Sequence, residues 1–165
     1  MTDTPMPRDP VQPADAEAVA LAREILQTAR HAALAWTDPE TGTPGISRIA
    51  FGLDGTGVPH TLVSSLAPHR AALVAHPDAA LMLGEPGAKG DPLTHPRLML
   101  RVRAALVARD SAVHADLRDH WLTTHPKAKL YIDFADFAFM RLDPVSILLN
   151  GGFARAFRLT PEQVK

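Results

Sequence analysis

Cysteine is absent from the 165 residues of the chain. Its absence excludes disulfides, thiolate zinc sites and a cysteine nucleophile. It also suits a reducing compartment, so we expect a cytoplasmic protein. The sequence has no run of about 18 apolar residues that would cross a membrane. Its first residues, MTDTPMPRDPVQP, lack the basic and then apolar regions of a secretory signal.

An excess of positive charge is also missing, because 17 Lys and Arg residues are balanced by 18 Asp and Glu residues. Nucleic acid binding needs a broad basic surface, so neither DNA nor RNA is an expected partner. The sequence has no G-x-G-x-x-G or G-x-x-x-x-G-K-[ST] motif, so neither Rossmann nor P-loop binding is supported. The eight histidines show no H-E-x-x-H pattern, and we predict no metal site.

The patterns that are present indicate one domain. Four prolines among polar residues predict a disordered tail over 1–13, followed by a domain over 14–165. Apolar residues spaced by three and four predict helices at 14–29 and 112–124. Short strands in hairpin order favour a mainly β, α+β barrel or sandwich. The predicted strands are HAALAWTD, PGISRIAFGLD, HTLVSS, AALMLGE, RLMLRVRAALVARD, FAFMRLD and SILLNGGF.

The stretch SSLAPHRAALVAHP marks the passage from a strand into a helix. With Pro68 in the first helical turn, the free N–H groups and the positive end of the helix dipole face the end of the strand. The hydroxyls of Ser64 and Ser65 and the side chains of His69 and Arg70 can then bind an anion. An ordinary helix start with solvated polar residues explains the same stretch.

Arg48 lies in the middle of an apolar strand, GISRIAF, which indicates a sheet edge, a solvated face or a bound anion. Alternation places Ile46, Arg48 and Ala50 on one face of that strand. In a meander this strand pairs with the one that ends at Ser64 and Ser65, so Arg48 lies beside the helix start. Two arginines, one histidine and two hydroxyls would then converge, which is enough for one phosphate monoester.

Two further groups each allow two interpretations. Arg101 and Arg103 share a mixed face of the long strand, which is either solvated or part of a subunit interface or ligand site. The segment NGGFAR, with Gly151 and Phe153, follows an apolar strand. It forms either a turn or bulge, or a close backbone approach to a flat ligand.

The run PGISRIAFGLDGTGVPHTLVSSLAPHRAALVAHPDAALML resembles the flavin-binding split-barrel family of pyridoxamine 5'-phosphate oxidase. It looks most like the branch that contains haem-utilisation proteins. The similar features are a Ser-Arg pair in the second strand, a turn of the form dG.P, S.La.H at the end of the third strand, and HP.A.L before the fourth. PRLML, HPKAKLYIDFADFAFMRLDP and NGGFARAF are similar to the family's C-terminal half, so the resemblance covers about residues 20–158.

The resemblance implies a six-stranded antiparallel split β-barrel with flanking helices, which forms a homodimer and holds FMN at the interface. Arg48, His69 and Arg70 would meet the FMN phosphate, with His69 at the position of the oxidase's phosphate-binding lysine. The residues that it assigns to FMN are Ser47, Arg48, Ser64, Ser65, His69 and Arg70, with Arg101, Arg103, Gly151 and Phe153 as candidates for the contribution across the interface.

The function that follows from the resemblance is an FMN-dependent oxidoreductase that transfers a hydride or electrons to a small substrate. In such an enzyme the flavin performs the chemistry and the protein supplies binding and electrostatics, so no catalytic side chain is predicted. A haem-binding or haem-degrading protein of the same fold is one alternative. A flavin-binding module without turnover and a barrel that serves only as an interaction domain are the others.

Overall fold

The computed structural model describes residues 10–153 and 155–165. Its α-helices are α1 (Ala16–Thr28), α2 (Pro68–Ala75), α3 (Ala112–Thr124) and α4 (Pro161–Val164). Its strands are β1 (Val11–Pro13), β2 (His31–Thr37), β3 (Pro44–Ala50), β4 (Gly52–Leu53), β5 (Pro59–Ser64), β6 (Asp78–Leu83), β7 (Arg97–Leu106), β8 (Phe137–Asn150) and β9 (Ala156–Leu159). Short 3-10 turns lie at Pro92–Thr94 and Pro126–Leu130.

The nine strands form one sheet, in the order β1-β9-β8-β7-β6-β2-β3, and β5 pairs with both β4 and β8. Because β4 follows β3 after a single residue, the pairings run from β2 through β3 and β4, β5, β8, β7 and β6 back to β2. The predicted α+β class is confirmed. The predicted count of six strands is not confirmed, because the sheet also contains β1 and β9.

Alternation along the strands decides which side chains enter the core. On β7, Leu98, Leu100 and Val102 are buried, whereas Arg101 and Arg103 point outward. A fully buried leucine contributes about 1.5–3 kcal/mol relative to an exposed one, so a shift of one residue in this strand would be strongly unfavourable. The same rule gives β3 two faces, as the sequence predicts.

The helices pack where their apolar spacing predicts. α1 begins at Asp15, whose carboxylate accepts the Ala18 N–H at 2.8 Å, and it buries residues spaced by four. α3 packs Trp121 edge-on against Phe139 of β8, with 5.5 Å between the ring centroids. α3 therefore covers the outer side of β5 and β8. Among the described residues, no helix is long and apolar enough to cross a membrane.

The two strands predicted around Asp143 and Pro144 are a single 14-residue strand, β8. Proline lacks an N–H donor and interrupts a sheet unless a bulge takes up the irregularity. The register supplies that bulge, since Arg101 is opposite Ser146, Val102 is opposite Pro144, and Val145 has no opposite residue. The sequence-based prediction of two strands was therefore wrong at this point.

The predicted tail over 1–13 falls partly outside the described residues, which begin at residue 10. Its last three residues, Val11–Pro13, form β1 and pair in parallel with β9, Val11 opposite Ala156. The prediction of disorder therefore does not hold for residues 11–13. β9 also lies in a segment for which the sequence analysis proposed no strand.

Candidate functional site

The residues predicted to bind phosphate at the end of β5 are bonded to Asp136, in the loop before β8. The Ser64 hydroxyl donates to the Asp136 carboxylate at 2.5 Å. The Ser65 N–H and the Arg70 guanidinium donate to the Asp136 carbonyl at 2.7 and 2.6 Å. The structure therefore brings three of the predicted residues together, but around an acidic residue of the chain itself.

The start of α2 adds little positive charge to this cluster. The helix begins at Ala67, whose side chain offers no cap, and Pro68 occupies the first turn. His69 is half-buried, and burial lowers the pKa of its imidazole below the usual 6.5. His69 is therefore mainly neutral at pH 7, and Arg70 is the cation of this turn.

Ser47 and Arg48 lie on opposite faces of β3, because successive side chains on a strand alternate. Ser47 is on the core side, where its hydroxyl accepts the Trp36 indole N–H at 3.0 Å. Arg48 is exposed on the outer side and, among residues 10–153 and 155–165, has no hydrogen bond or ion pair. Only Arg48 of this pair is free to meet a ligand outside the barrel.

The strand register relates Arg48 to the Asp136 cluster only by extrapolation. β4 pairs with β5, Gly52 opposite His60 and Leu53 opposite Pro59, and β3 continues alongside β5. Extending that register by four residues aligns Arg48 with Ser64. No pairing joins Arg48 to Ser64 directly, so their approach stays a prediction.

The outer faces of β3, β2, β6 and β7 form a surface that we call the alanine shelf: Ala33, Ala35 and Ala80, with Arg48 on one side and Arg101 on the other. Their order follows from the register, since Arg48 is opposite Ala33, Ala35 is opposite Ala80, and Ala80 is opposite Arg101. Three strand steps and an offset of two residues along β2 separate the two arginines, about 16 Å at the usual strand and residue spacings.

The surroundings of the shelf are apolar and open. Ile46, Met82 and Val145 are 79, 51 and 62% exposed. An open cavity of about 510 Å³ is lined by Ala35, Ala80 and Val145 of this surface, together with Arg101 and other residues. Small side chains leave the floor flat, so a planar apolar ligand can approach the sheet closely.

Arg101 and Arg103 differ although they share a face of β7. Arg103 pairs with Asp78 of β6 at 3.3 Å. Arg101 has no hydrogen bond or ion pair in the part of the chain that the structure describes. Arg101 is therefore available to an anionic group above the shelf, whereas Arg103 already forms an ion pair with Asp78.

Comparison with known proteins adds relatives of stated function. No family model matches the sequence. The haem oxygenase HOZ of Arabidopsis thaliana, a chloroplastic protein, is 34% identical over 116 residues, which are 70% of this chain and 34% of HOZ. A haem-binding protein from Mycobacterium smegmatis is 30% identical, with a TM-score of 0.80 over 93% of this chain and 61% of the other. The chain thus spans about a third of the plant relative.

Solved structures of lower identity show the fold alone. A Listeria innocua protein assigned as pyridoxamine 5'-phosphate oxidase is 15% identical and has a TM-score of 0.62 over 81% of this chain and 98% of its own. An FAD-binding protein from Mesorhizobium loti is 15% identical, with a TM-score of 0.63 over 82 and 94%. The chain belongs to the pyridoxamine 5'-phosphate oxidase-like split-barrel family, in its haem-utilisation branch. The resemblance drawn from the sequence is confirmed.

The predicted cytoplasmic location is not confirmed, since the relative HOZ is a chloroplastic protein.

Within this split-barrel chain, Gly151 and Phe153 lie far from the Asp136 cluster. Ser64 is opposite Phe137 at the beginning of β8, whereas both residues follow its end, and a strand of 14 residues spans roughly 40 Å. They form the turn into β9, with the Gly151 N–H donating to the Arg155 carbonyl at 2.8 Å. Phe153 is 88% exposed. One chain alone does not bring this turn to the predicted phosphate residues.

Two parts of the site were missed by sequence reasoning. Asp136 stands 72 positions after its partner Ser64, in a segment that reads as irregular. The alanine shelf comes from strands in which the sequence analysis singled out no alanine. The outward positions of Ala33 and Ala35 could have been found from the alternation of HAALAWTD, in which Ala32 and Leu34 are the buried pair.

Proposed function

We propose that this split-barrel chain binds haem on the alanine shelf. The observation that carries the proposal is a flat apolar surface between two unpaired arginines, Arg48 and Arg101. Haem combines a planar apolar ring with two carboxylates, and buried apolar area and charge-assisted hydrogen bonds are the interactions that this surface offers. HOZ and the Mycobacterium protein, both at 30% identity or more, support haem as the ligand class.

The shelf residues fit haem in chemistry and in size. Ala33, Ala35 and Ala80 would lie under the ring, and Met82 and Ile46 would contact its edge. The two propionates leave one edge of the haem ring, so one of the two arginines, Arg48 or Arg101, would donate to them and the other would lie at the opposite edge of the ring. Bound haem would supply an iron centre for oxygen chemistry. The similarity to HOZ extends the proposal to oxidative ring opening, for which the expected sign is loss of the Soret band when reductant and oxygen are added.

A homodimer is part of the proposal. Ile46, Met82 and Val145 are large apolar side chains exposed together on the outer face of the sheet. A second copy of the chain would cover them and would exclude water from the ligand. The outer face would then hold haem at the interface between two chains. Sedimentation of the purified protein with and without haem measures this state directly.

Titration of the purified protein with haem, followed by the Soret band, tests the proposed function. We expect saturable binding at one haem per chain. The substitution at the propionate edge, Arg48→Ala or Arg101→Ala, should weaken binding by about 1 kcal/mol, roughly fivefold in Kd, because exposed charge pairs are worth about that much. Arg141→Ala is the matched control, since Arg141 pairs with Asp143 at 2.7 Å and neither residue lines the cavity. Absence of saturable binding, or equal effects of all three substitutions, would contradict the proposal.

An FMN-dependent oxidoreductase is the second candidate. The free Arg48, expected beside the end of β5, favours it, and flavin-binding proteins share the fold. The cluster around Asp136 counts against it, because the donors expected for the phosphate already have partners. The absorption spectrum of freshly purified protein separates the two candidates, since flavin bands support FMN and a Soret band supports haem.

A further inference from the structure

We propose that Asp136 excludes the phosphate of FMN from the end of β5 and so selects against this cofactor. The proposal concerns the end of β5. It rests on the proposed haem function for one point only, which is the identity of the ligand that the chain does bind. Rejection of flavin phosphate can be measured on its own. The position concerned is the one at which the family resemblance assigns Ser64, Ser65 and Arg70 to the cofactor.

The first argument is that Asp136 occupies the donors. The Ser64 hydroxyl carries one hydrogen, and that hydrogen is donated to the Asp136 carboxylate at 2.5 Å. The Ser65 N–H and one guanidinium nitrogen of Arg70 are directed to the Asp136 carbonyl. A phosphate that entered here would have to replace these bonds before it gained any of its own.

The second argument is charge. In the described residues Asp136 has no salt bridge, because Arg70 reaches its backbone oxygen and not its carboxylate. The carboxylate lies beside the place where a dianion would sit, and a like charge close to an anion weakens the binding of that anion. The Arg70 guanidinium, held at the Asp136 carbonyl, balances one negative charge, and half-buried His69, which is mainly neutral, adds no second positive charge for a dianion.

The third argument is that local structure does not require an acid at this position. Two of the three bonds go to the backbone carbonyl of Asp136, which any residue provides. The bond from Ser64 needs only an acceptor oxygen, which asparagine also has. What asparagine lacks is the charge. The charge of Asp136 is therefore required for a role in cofactor selection, whereas a purely structural role would not require it.

The test compares FMN with riboflavin, which differ by the phosphate, by titrating the intrinsic flavin fluorescence in wild type, Asp136→Asn and Asp136→Ala. We expect wild type to bind FMN no more tightly than riboflavin. Asp136→Asn should prefer FMN by about tenfold, since a neighbouring charge that repels a dianion is removed. Asp136→Ala, which also releases the Ser64 hydroxyl, should prefer FMN at least as much. Asp133→Asn is the matched control, because Asp133 is held by Arg118 at 2.7 Å in the same loop.

The outcomes are separable. A preference of wild type for FMN of tenfold or more overturns the proposal, and this result needs no variant to fold. An FMN preference in Asp136→Asn no greater than in wild type, or no measurable FMN binding by that variant, also overturns it. Folding of each variant is checked by circular dichroism. Haem titration of the same proteins should be unchanged within about twofold. Absence of haem binding by wild type would refute the proposed function, but the comparison of FMN with riboflavin would still test the role of Asp136.

Discussion

His114 of α3 is a buried histidine, and its Nε2 atom has no hydrogen-bond partner among residues 10–153 and 155–165. The residue is 7% exposed and packs edge-on against Phe139, with 5.3 Å between the ring centroids. Burial lowers the pKa of its imidazole, and the positive charge of Arg109 lowers it further. The fold therefore keeps the imidazole of His114 neutral, while its Nε2 atom is buried without a hydrogen bond from the described residues.

Replacing His114 with leucine should stabilise the protein. An unsatisfied buried polar group costs about 1–3 kcal/mol, and leucine has a similar volume, so we expect a gain of about 1 kcal/mol in the free energy of unfolding at pH 8. The gain should grow on acidification. Because the folded pKa lies below the unfolded value of about 6.5, the unfolded chain takes up the proton first as the pH falls through 6.5. Wild type thus loses stability there, and His114→Leu loses less.

Urea denaturation followed by far-ultraviolet circular dichroism at pH 8 and pH 5.5 measures both effects. His120→Leu is the control on the same helix, since His120 is exposed and its replacement should change stability by less than about 0.5 kcal/mol. Burial also lowers the pKa values of His60 and His125, so part of the acid dependence should survive in His114→Leu. An unchanged difference between the two pH values in His114→Leu would refute the reasoning.

Two further predictions concern the contact between Trp36 and β3. A Cβ added at Gly45 would come within 2.4 Å of the Trp36 ring, so Gly45→Ala should lower stability by about 1–3 kcal/mol, whereas Gly55→Ala meets no atom within 4 Å and should change little in the same urea titration. Ser47→Ala removes the acceptor for the Trp36 indole N–H and should cost about 1–2 kcal/mol, while haem affinity, measured by Soret titration, stays within about twofold. A loss of haem binding in Ser47→Ala with intact stability would place Ser47 at the ligand after all.

Local patterns predicted most of the elements because the forces behind them are local. The helix expected at 112–124 is α3, and HAALAWTD forms β2 up to Thr37. Both follow from the periodic burial of apolar residues, which neighbouring side chains largely decide. The sequence failed at Pro144, where a bulge keeps β8 continuous, and at β1 and β9, which are short and gain their stability from pairing with each other and with β8.

The candidate site was predicted only in part, for a related reason. Alternation was enough to put Arg48 and Ser47 on opposite faces of β3, and the exposure of Arg48 shows which face is the outer one. Its expected position beside the end of β5 stays a prediction. The sequence could not show that Ser64 and Arg70 donate to Asp136, since the contact joins segments 72 and 66 positions apart. It also grouped Arg101 with Arg103, and only the register between β6 and β7 shows that Asp78 neutralises one of them.

A sequence motif at a helix start identifies hydrogen-bond donors, but it does not identify the group that accepts their hydrogen bonds. In the split-barrel family such donors can meet a cofactor phosphate that comes from outside or a carboxylate that belongs to the chain. Ser64 can donate to either acceptor, whereas Arg70 meets a backbone carbonyl, so under the proposal it is the charge of residue 136 that decides between the two ligands. The two free arginines on the alanine shelf then become the cations available to an anionic ligand. A single acidic side chain could in this way redirect one barrel from a phosphorylated cofactor to a dicarboxylate, with no change in the residues that form the apparent phosphate motif.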